Sequence, residues 1–154
     1  MSAPMVTRLT ESDWRVFATL RLRALTDTLG AGDQQYRHEV TFTAAQWRRR
    51  LRAHAQFAVL IDDHLVGLIG AQRQSVEAVY LYSLWLEPGA RGRGLGHDLV
   101  GAAVDWARSQ RARIVTLRVD AANATARGVY EQLGFGVIEA STTAKELTMS
   151  LSVG

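Results

Sequence analysis

The 154-residue chain contains no cysteine, which excludes disulfide bonds, thiolate metal ligands and a covalent intermediate on sulfur. It has only two prolines and a single lysine, Lys145, so arginine supplies almost all of its positive charge. No apolar run approaches the roughly 20 residues that a membrane helix requires. The first ten residues also lack the basic start and apolar stretch of a secretory signal. Together these absences predict a cytoplasmic protein without a membrane partner.

The composition that remains is that of an ordinary globular protein with a hydrophobic core. Apolar residues make up 47% of the chain and charged residues 21%, which predicts one domain over residues 1–154. The formal net charge is only +3, so the basic character is weak evidence for nucleic-acid binding. The arginines of residues 48–52 are typical of a solvated helix face. No nucleic-acid module is recognisable, and no nucleic-acid partner is expected.

Hydrophobic periodicity and turn signals predict an α/β fold with a mixed sheet, in the order β-α-α-β-β-β-α-β-α-β-β. Thr10 is expected to cap the first helix, and Thr43 with Gln46 forms a capping-box pattern ahead of the second. Residues 27–41 contain two glycines and few apolar residues, so they are predicted to form a loop. The predicted strands are residues 4–10, 57–61, 65–71, 78–86, 114–119, 135–139 and 146–151.

Residues 84–96 are the most informative segment, because a strand runs there into a loop rich in glycine and arginine that opens a helix. The first N–H groups of a helix have no partners within it and lie at the positive end of its dipole. Glycines let a ligand approach this backbone, and Arg91 and Arg93 add positive charge. The segment is typical of a phosphate or pyrophosphate site, although a glycine loop that merely turns the chain has the same pattern.

Two common phosphate-binding motifs do not fit this loop. The dinucleotide fingerprint G-x-G-x-x-G fails from either start, because His97 follows in one frame and Leu99 in the other. The P-loop requires a Gly-Lys pair, which the chain does not contain. The four histidines are scattered without metal-ligand spacing, so no metal is expected.

The loop instead resembles the Q/R-x-x-G-x-G/A motif of the GNAT superfamily of N-acetyltransferases, matched by Arg91, Gly94 and Gly96. A second family signature, N-x-x-A-x-x-x-Y-E-x-x-G-F, is matched by residues 123–135. Both motifs occur in the expected order, and the resemblance is weakest over residues 1–55. It implies acetyl-coenzyme A as cosubstrate. The residues implied to bind its pyrophosphate are Arg91, Gly92, Arg93, Gly94, Leu95 and Gly96.

The resemblance also implies roles outside the loop. The strand before it would splay from its neighbour and offer the backbone of Leu84, Trp85 and Leu86 to the pantetheine and thioester, with Leu86 at the thioester carbonyl. Such an N–H group stabilises the oxyanion of a tetrahedral intermediate. Tyr130 matches the general acid that protonates the departing thiolate. Asn123 would bind the pantetheine arm or cap its helix.

A general base is not evident in the sequence. Some family members carry a glutamate in the strand before the loop, but residues 78–86 contain no carboxylate. Glu77 precedes that strand and is the candidate for a base acting through water. Tyr80, Tyr82 and Ser83 are candidates for lining such a water relay. Because a surface glutamate is usually only solvated, the identity of the base stays open.

The acceptor is equally open at this level. Residues 27–41 and 72–78 are expected to line its site, because the family varies there. Asp27, Asp33 and Glu39 would attract a cation, or would simply be solvated loop acids. The leading hypothesis is transfer of an acetyl group to a primary amine, of a small molecule or of a protein or peptide, by direct attack in a ternary complex. The alternative is a non-catalytic acyl-coenzyme A sensor, and a homodimer is compatible with either.

Overall fold

The computed structural model describes residues 3–140 and 145–154. Its strands are β1 (Met5–Leu9), β2 (Ala55–Ile61), β3 (His64–Arg73), β4 (Ala78–Leu86), β5 (Ile114–Asp120), β6 (Gly136–Ala140) and β7 (Glu146–Ser152). Its α-helices are α1 (Trp14–Leu29), α2 (Gln34–Glu39), α3 (Ala44–Ala53), α4 (Leu95–Ser109) and α5 (Ala124–Gln132). The predicted α/β class and strand order are confirmed, with one helix added.

The added helix corrects the prediction that residues 27–41 form a loop. Helix α1 continues to Leu29, and α2 occupies Gln34–Glu39. The Asp33 side chain caps α2 by accepting a hydrogen bond from the Gln35 N–H group at 2.7 Å. At its other end, the Glu39 side chain is fully buried against arginines. Tertiary ion pairing therefore stabilises a helix that local apolar periodicity does not signal.

The strands form one sheet in the order β1-β2-β3-β4-β5-β7-β6. Within the described strands, β4 and β5 make the parallel pair, and the other neighbouring pairs are antiparallel. The β4–β5 register runs only from Ala78 opposite Ile114 to Leu81 opposite Leu117. Beyond that point both strands continue without pairing with each other. This opens a gap in the centre of the sheet.

Helices cover both faces of the sheet. Helix α4 buries Leu99, Val100 and Ala103 against one face, while Phe17 of α1 and Trp47 of α3 pack edge to face at 5.7 Å on the other. Each fully buried side chain of this kind stabilises the fold by about 1.5–3 kcal/mol. No helix of the part that the structure describes has the length and apolarity to cross a membrane. The two layers hold the central gap open at the ends of β4 and β5.

Candidate active site

The central gap begins at an irregularity in β4. Leu68 of β3 lies opposite Trp85, and Gly70 lies opposite Tyr82, so Ser83 and Leu84 share one residue of the partner strand. This two-against-one pairing is a β-bulge, which bends a strand and re-aims its groups. The bulge occurs just where β4 leaves β5. Leu84 therefore lies at the opening between the two strands, where it lines the cavities on both sides of the bulge.

Ser83 adopts an unusual backbone conformation within the bulge. Its φ is +56°, in the left-handed region, and no glycine is present to relieve the crowding of Cβ. That conformation costs a non-glycine residue about 1–2 kcal/mol. Such strain persists where neighbouring groups hold the residue in place. The Ser83 Oγ atom accepts a hydrogen bond from the Nη1 group of Arg21 at 2.5 Å.

The loop after β4 leads into the start of α4. Gly92 and Gly94 both have φ of +79°, which glycine adopts without crowding, and Gly94 is the N-cap of the helix. The first hydrogen bond of α4 runs from the Asp98 N–H to the Gly94 carbonyl. The N–H groups that come before Asp98 in the first turn of α4 therefore have no hydrogen-bond partner within the helix. They can bind an anion at the positive end of the helix dipole.

A cleft of about 570 Å³ joins this helix start to the gap in the sheet. One wall is the end of β4 with the glycine loop, and the other is one face of α5 with its N-cap, from Asn123 to Gln132. The predicted coenzyme residues that line the cleft are Leu84, Trp85, Leu86, Arg91, Gly92, Gly94, Leu95, Gly96 and Asn123. The cleft is long, partly apolar and positive at one end. Together these properties suit an extended ligand that carries phosphate at one end.

Arg93 and Arg91 differ in their placement. Arg93 lines a separate surface cleft beside Arg23 and Glu87. Arg91 folds back toward β4, where its Nε group donates to the Leu86 carbonyl at 2.9 Å. Its Nη2 group donates to Asp27 at 3.1 Å. Arg91 is therefore the arginine of the loop that the structure places at the cleft.

Asp27 fastens the C-terminal part of α1 to this cleft. Besides Arg91, it accepts a hydrogen bond from the Trp85 indole N–H at 2.8 Å. The Trp85 hydrogen bond is the main cause that lowers the pKa of Asp27; burial opposes it, and Arg91 and Arg23 lower the pKa further. Asp27 was expected to attract a cation or to be solvated. It is exposed and pairs with the Arg91 guanidinium, and it also holds the Trp85 indole at the cleft.

Tyr130 lies at the inner end of the cleft. It is 7% exposed and lines a cavity of about 210 Å³ within the gap, together with Ser83, Leu84 and Asn123. Burial, and to a smaller extent neighbouring Tyr80, raises the pKa of Tyr130 to about 12. The phenol is therefore protonated throughout the neutral range. The structure brings together Tyr130, Asn123 and Leu84 as the two sequence signatures predict.

Asn123 has the capping role that the sequence predicts. Its Oδ1 atom accepts a hydrogen bond from the Ala126 N–H group at 3.1 Å at the start of α5. The residue also lines both the cleft and the inner cavity. Its side-chain oxygen is committed to the helix, whereas its amide N–H₂ group remains to contact a ligand.

Glu77 lies far from this chemistry, which corrects its candidacy as a base. It precedes the first residue of β4, and Leu84 follows seven residues later, about 20 Å away along a strand. The Glu77 side chain is exposed and lies 3.8 Å from the Nε atom of Arg113. It lines neither the cleft nor the inner cavity. A single water cannot span that separation to the gap.

A larger, open cavity of about 1000 Å³ adjoins the gap on its other side. Tyr82 and Ser83 line both this cavity and the inner one, so the two are neighbours. The Tyr82 ring lies against Gly70, where a Cβ atom would approach it to 2.4 Å. The Tyr80 and Tyr82 rings stack at 6.3 Å and form a floor.

The wall of this larger cavity includes His54, which contacts Tyr82. The Nδ1 atom of His54 lies 2.6 Å from the Tyr82 hydroxyl, which also accepts from the Gln56 amide at 2.7 Å. Burial and, to a smaller extent, the charge of Arg50 lower the pKa of His54. The imidazole is therefore neutral at pH 7.

The other wall contains a buried ion pair between helices. Arg21 donates from Nε and Nη2 to the two carboxylate oxygens of Glu39, both at 3.0 Å. Gln35 also donates to Glu39, and Arg50 lies 3.6 Å away. Burial alone would raise the pKa of Glu39, but these hydrogen bonds and charges outweigh it and lower the pKa. Glu39 was expected to be a solvated loop acid or to attract a cation. It is instead a buried carboxylate already paired with the arginines of this protein.

Several site residues have no signature in the sequence. Arg21, Thr28 and His54 come from α1 and the end of α3, and only the fold brings them to the cavities. Of the predicted acceptor segment 72–78, Gln72 alone lines the larger cavity. Within residues 3–140 and 145–154, no group of three or more His, Asp or Glu side chains could hold a metal ion.

The diverging central strands and the glycine-lined helix start define an α/β fold with a cleft for an extended anionic ligand. A model of the acetyltransferase (GNAT) family matches residues 14–135. That match covers most of the chain, so the protein belongs to the GNAT acetyltransferase family.

Related sequences agree over part of the chain. A mycothiol acetyltransferase of Corynebacterium glutamicum is 39% identical over 77 residues, which cover 50% of this chain and 26% of the relative. An uncharacterised N-acetyltransferase of Methanocaldococcus jannaschii is 36% identical over 59 residues, which cover 38% of this chain and 26% of that one. The chain thus spans about a quarter of the length of these relatives.

Solved structures agree over nearly the whole fold. PaiA N-acetyltransferase from Thermoplasma acidophilum, in complex with coenzyme A, superposes with a TM-score of 0.77 at 15% identity, covering 98% of this chain and 99% of that one. YncA from Salmonella typhimurium, with acetyl-coenzyme A, gives 0.78 at 16% identity over 99% and 95%. At such identities the likeness establishes the fold alone.

Proposed function

We propose that this protein transfers an acetyl group from acetyl-coenzyme A to a primary amine of a small molecule. The observation that carries the proposal is the continuous path formed by three cavities. The glycine-lined cleft shares lining residues with the inner cavity at Tyr130, and the inner cavity shares others with the larger cavity. A donor in the first and an acceptor in the last would meet in the gap between β4 and β5.

The donor would lie with its pyrophosphate at the start of α4 and its pantetheine along the end of β4. Gly92 and Gly94 leave the helix start open, and Arg91 supplies a positive charge fixed by Asp27. Asn123 and Leu86 flank the path to the gap. Solved family structures named as complexes with coenzyme A or acetyl-coenzyme A support this choice of donor.

In this proposal the thioester carbonyl would lie against the backbone of Leu84. Leu84 lines both the cleft and the inner cavity, whereas Leu86, which the resemblance suggested, lines the cleft alone. An N–H group aimed at the developing oxyanion contributes about 3–4 kcal/mol to such reactions. The amine attacks the carbonyl carbon directly, since a chain without cysteine cannot form a thioester intermediate of its own.

Tyr130 then assists departure of the coenzyme. As the carbon–sulfur bond breaks, its hydroxyl donates a hydrogen bond to the thiolate. A phenol with a pKa of about 12 is a weaker acid than a thiol with a pKa near 8.5, so complete proton transfer from the free phenol is uphill. Tyr130 therefore acts best by hydrogen bonding while charge develops on sulfur. The proton that the amine loses balances the proton that the thiolate gains.

The acceptor would enter through the larger cavity. Its volume of about 1000 Å³ and its aromatic floor suit a small organic amine. The same cavity is open to solvent, so the terminal amine of a peptide remains the competing acceptor. A carboxylate base is absent from β4, and the amine is taken to attack from its minor neutral form or after loss of a proton to water.

The test combines binding and turnover. Acetyl-coenzyme A at 100 times its dissociation constant stabilises a fold by about 2.7 kcal/mol, which raises the melting temperature by roughly 5–10 °C in a chain of this size. Amines, amino acids, polyamines and peptides are then screened for release of coenzyme A thiol, which the cysteine-free enzyme cannot mimic. Absence of a thermal shift at millimolar acetyl-coenzyme A would refute the proposal, whereas a shift without any turnover would favour the sensor alternative.

A further inference from the structure

We infer that Arg21 and Glu39 form a positioning clamp that holds Ser83 in its left-handed conformation and so aims the Leu84 backbone at the reacting carbonyl. The inference rests on the proposed acetyl transfer. It concerns residues of α1 and α2 that belong to neither sequence signature. Its physical basis is a hydrogen-bonded chain that runs from a buried carboxylate to the bulge in β4.

The clamp is rigid because the Arg21 guanidinium is held on every side. Nε and Nη2 each donate to one oxygen of Glu39 at 3.0 Å, and Nη1 donates to Ser83 at 2.5 Å. This bidentate geometry fixes the plane of the guanidinium as well as its distance. Glu39 is itself held by Gln35 and approached by Arg50. Helices α1, α2 and α3 thus fix one donor that reaches β4.

A buried ion pair needs a reason beyond stability. Removing two charges from water is unfavourable, and a well-packed apolar pair often serves a fold equally well. Arg21 is 6% exposed and Glu39 is 0% exposed. The Nη1 group of Arg21 nevertheless donates to Ser83, the one described residue of β4 that has a positive φ. A role in holding that residue accounts for the burial.

Ser83 needs such a contact because its conformation is intrinsically unfavourable. If the Arg21 hydrogen bond were lost, the bulge would relax toward an ordinary strand, and Leu84 would turn away from the gap. A small misplacement of an oxyanion donor strongly lowers the rate of the chemical step. The pyrophosphate would bind at the start of α4, which lies outside this bulge. The clamp is therefore expected to affect kcat far more than the dissociation constant of the coenzyme.

Two substitutions at Ser83 separate the clamp from a direct role of the hydroxyl. Ser83→Ala removes the hydrogen bond, and alanine still disfavours a positive φ, so the bulge should relax and kcat is expected to fall about 10–30-fold. Ser83→Gly also lacks the hydroxyl, but glycine adopts a positive φ freely, so kcat is expected to fall only about threefold. Equal losses in the two variants, or no loss in either, would overturn the inference.

Neutralising the clamp provides the second arm. Arg21→Met with Glu39→Gln removes both charges together and is expected to lower kcat about 100-fold. Adding Ser83→Gly to that variant should raise kcat again by at least about tenfold, because glycine adopts the positive φ without the clamp. The matched control is Arg52→Met with Glu11→Gln, an exposed pair at 2.7 Å, which should leave kcat unchanged. No recovery by glycine would contradict the clamp.

The readouts distinguish this inference from the proposed function. The thermal shift with acetyl-coenzyme A and the KM for the coenzyme should remain near wild-type values in every Ser83 variant. If wild-type protein shows neither shift nor thiol release, the proposed function fails. If it shows both and the alanine and glycine variants behave alike, the clamp alone fails. Should the neutralised pair not fold, as circular dichroism would reveal, the Ser83 variants decide the question.

Discussion

The two cavities that flank the central gap are built in different ways. The cleft proposed for the coenzyme is lined mainly by two short stretches of the chain, residues 84–97 with their glycines and residues 123–132 of α5 and its N-cap. The larger cavity is lined by side chains from α1, α2, α3, β3, β4 and β7, which are far apart in the chain. Backbone groups and glycines present the same surface in many sequences. A cavity made of dispersed side chains can change its chemistry one residue at a time.

The largest effect is expected from a charge placed in the coenzyme cleft. Gly94→Glu introduces bulk and a negative charge where the pyrophosphate should bind, at a position whose φ of +79° also disfavours a side chain. Acetyl-coenzyme A affinity should fall at least about 100-fold, and the thermal shift should disappear. The control is Gly101→Glu in the middle of α4, where no atom lies within 4 Å of an added Cβ. Retained binding in the Gly94 variant would refute the cleft assignment.

A smaller effect is expected at the junction of the two cavities. Tyr130→Phe removes the hydroxyl proposed to assist the leaving thiolate, so kcat should fall about 10–100-fold while affinity for acetyl-coenzyme A is kept. Because the pKa of Tyr130 is raised to about 12, its ionisation should not reduce the wild-type rate between pH 7 and 9. Tyr36→Phe on α2 serves as the control. Steady-state kinetics that showed a parallel loss of affinity would count against the acid role.

The smallest effect concerns the side-chain wall of the larger cavity. Burial, assisted by Arg50, lowers the pKa of His54 below its usual 6.5, so the folded state favours the neutral imidazole. The resulting stability is full above pH 6.5 and is lost as the pH falls below it, since the unfolded chain then binds more protons. Between pH 7 and 5 the melting temperature of His54→Gln should decline roughly 1–3 °C less than that of wild type.

Calorimetry across that pH range checks this expectation. His64→Gln, at the exposed first residue of β3, is the matched control and should decline like the wild type. Equal slopes for all three proteins would show that burial of His54 has no influence on stability in this window.

The contrast between the cavities also explains what the sequence could predict. The glycine loop, Tyr130 and Asn123 are recognisable because their spacing within one segment already places them on a helix start or a helix face. The splayed strand followed from the resemblance, and the register of β4 and β5 agrees with it. These features depend on residues close together in the chain, which local patterns can represent.

The remaining features required the tertiary structure. Residues 34–39 lack apolar periodicity, so the sequence does not predict α2. The helix is stabilised by the pairing of Glu39 with Arg21, 18 positions earlier in the chain. Glu77 was considered because it directly precedes β4, but that extended strand separates it from the gap, which lies at the other end of β4.

The contact between Gly70 and the Tyr82 ring has a consequence for the range of acceptors. Because the ring rests directly on bare backbone, the floor beneath an incoming amine is as low as the sheet allows. Any side chain at residue 70 would lift the aromatic plane and make the chamber shallower, without touching the donor half of the molecule. If the larger cavity receives the acceptor as proposed, the size of amine that fits would be adjustable by a single residue of β3.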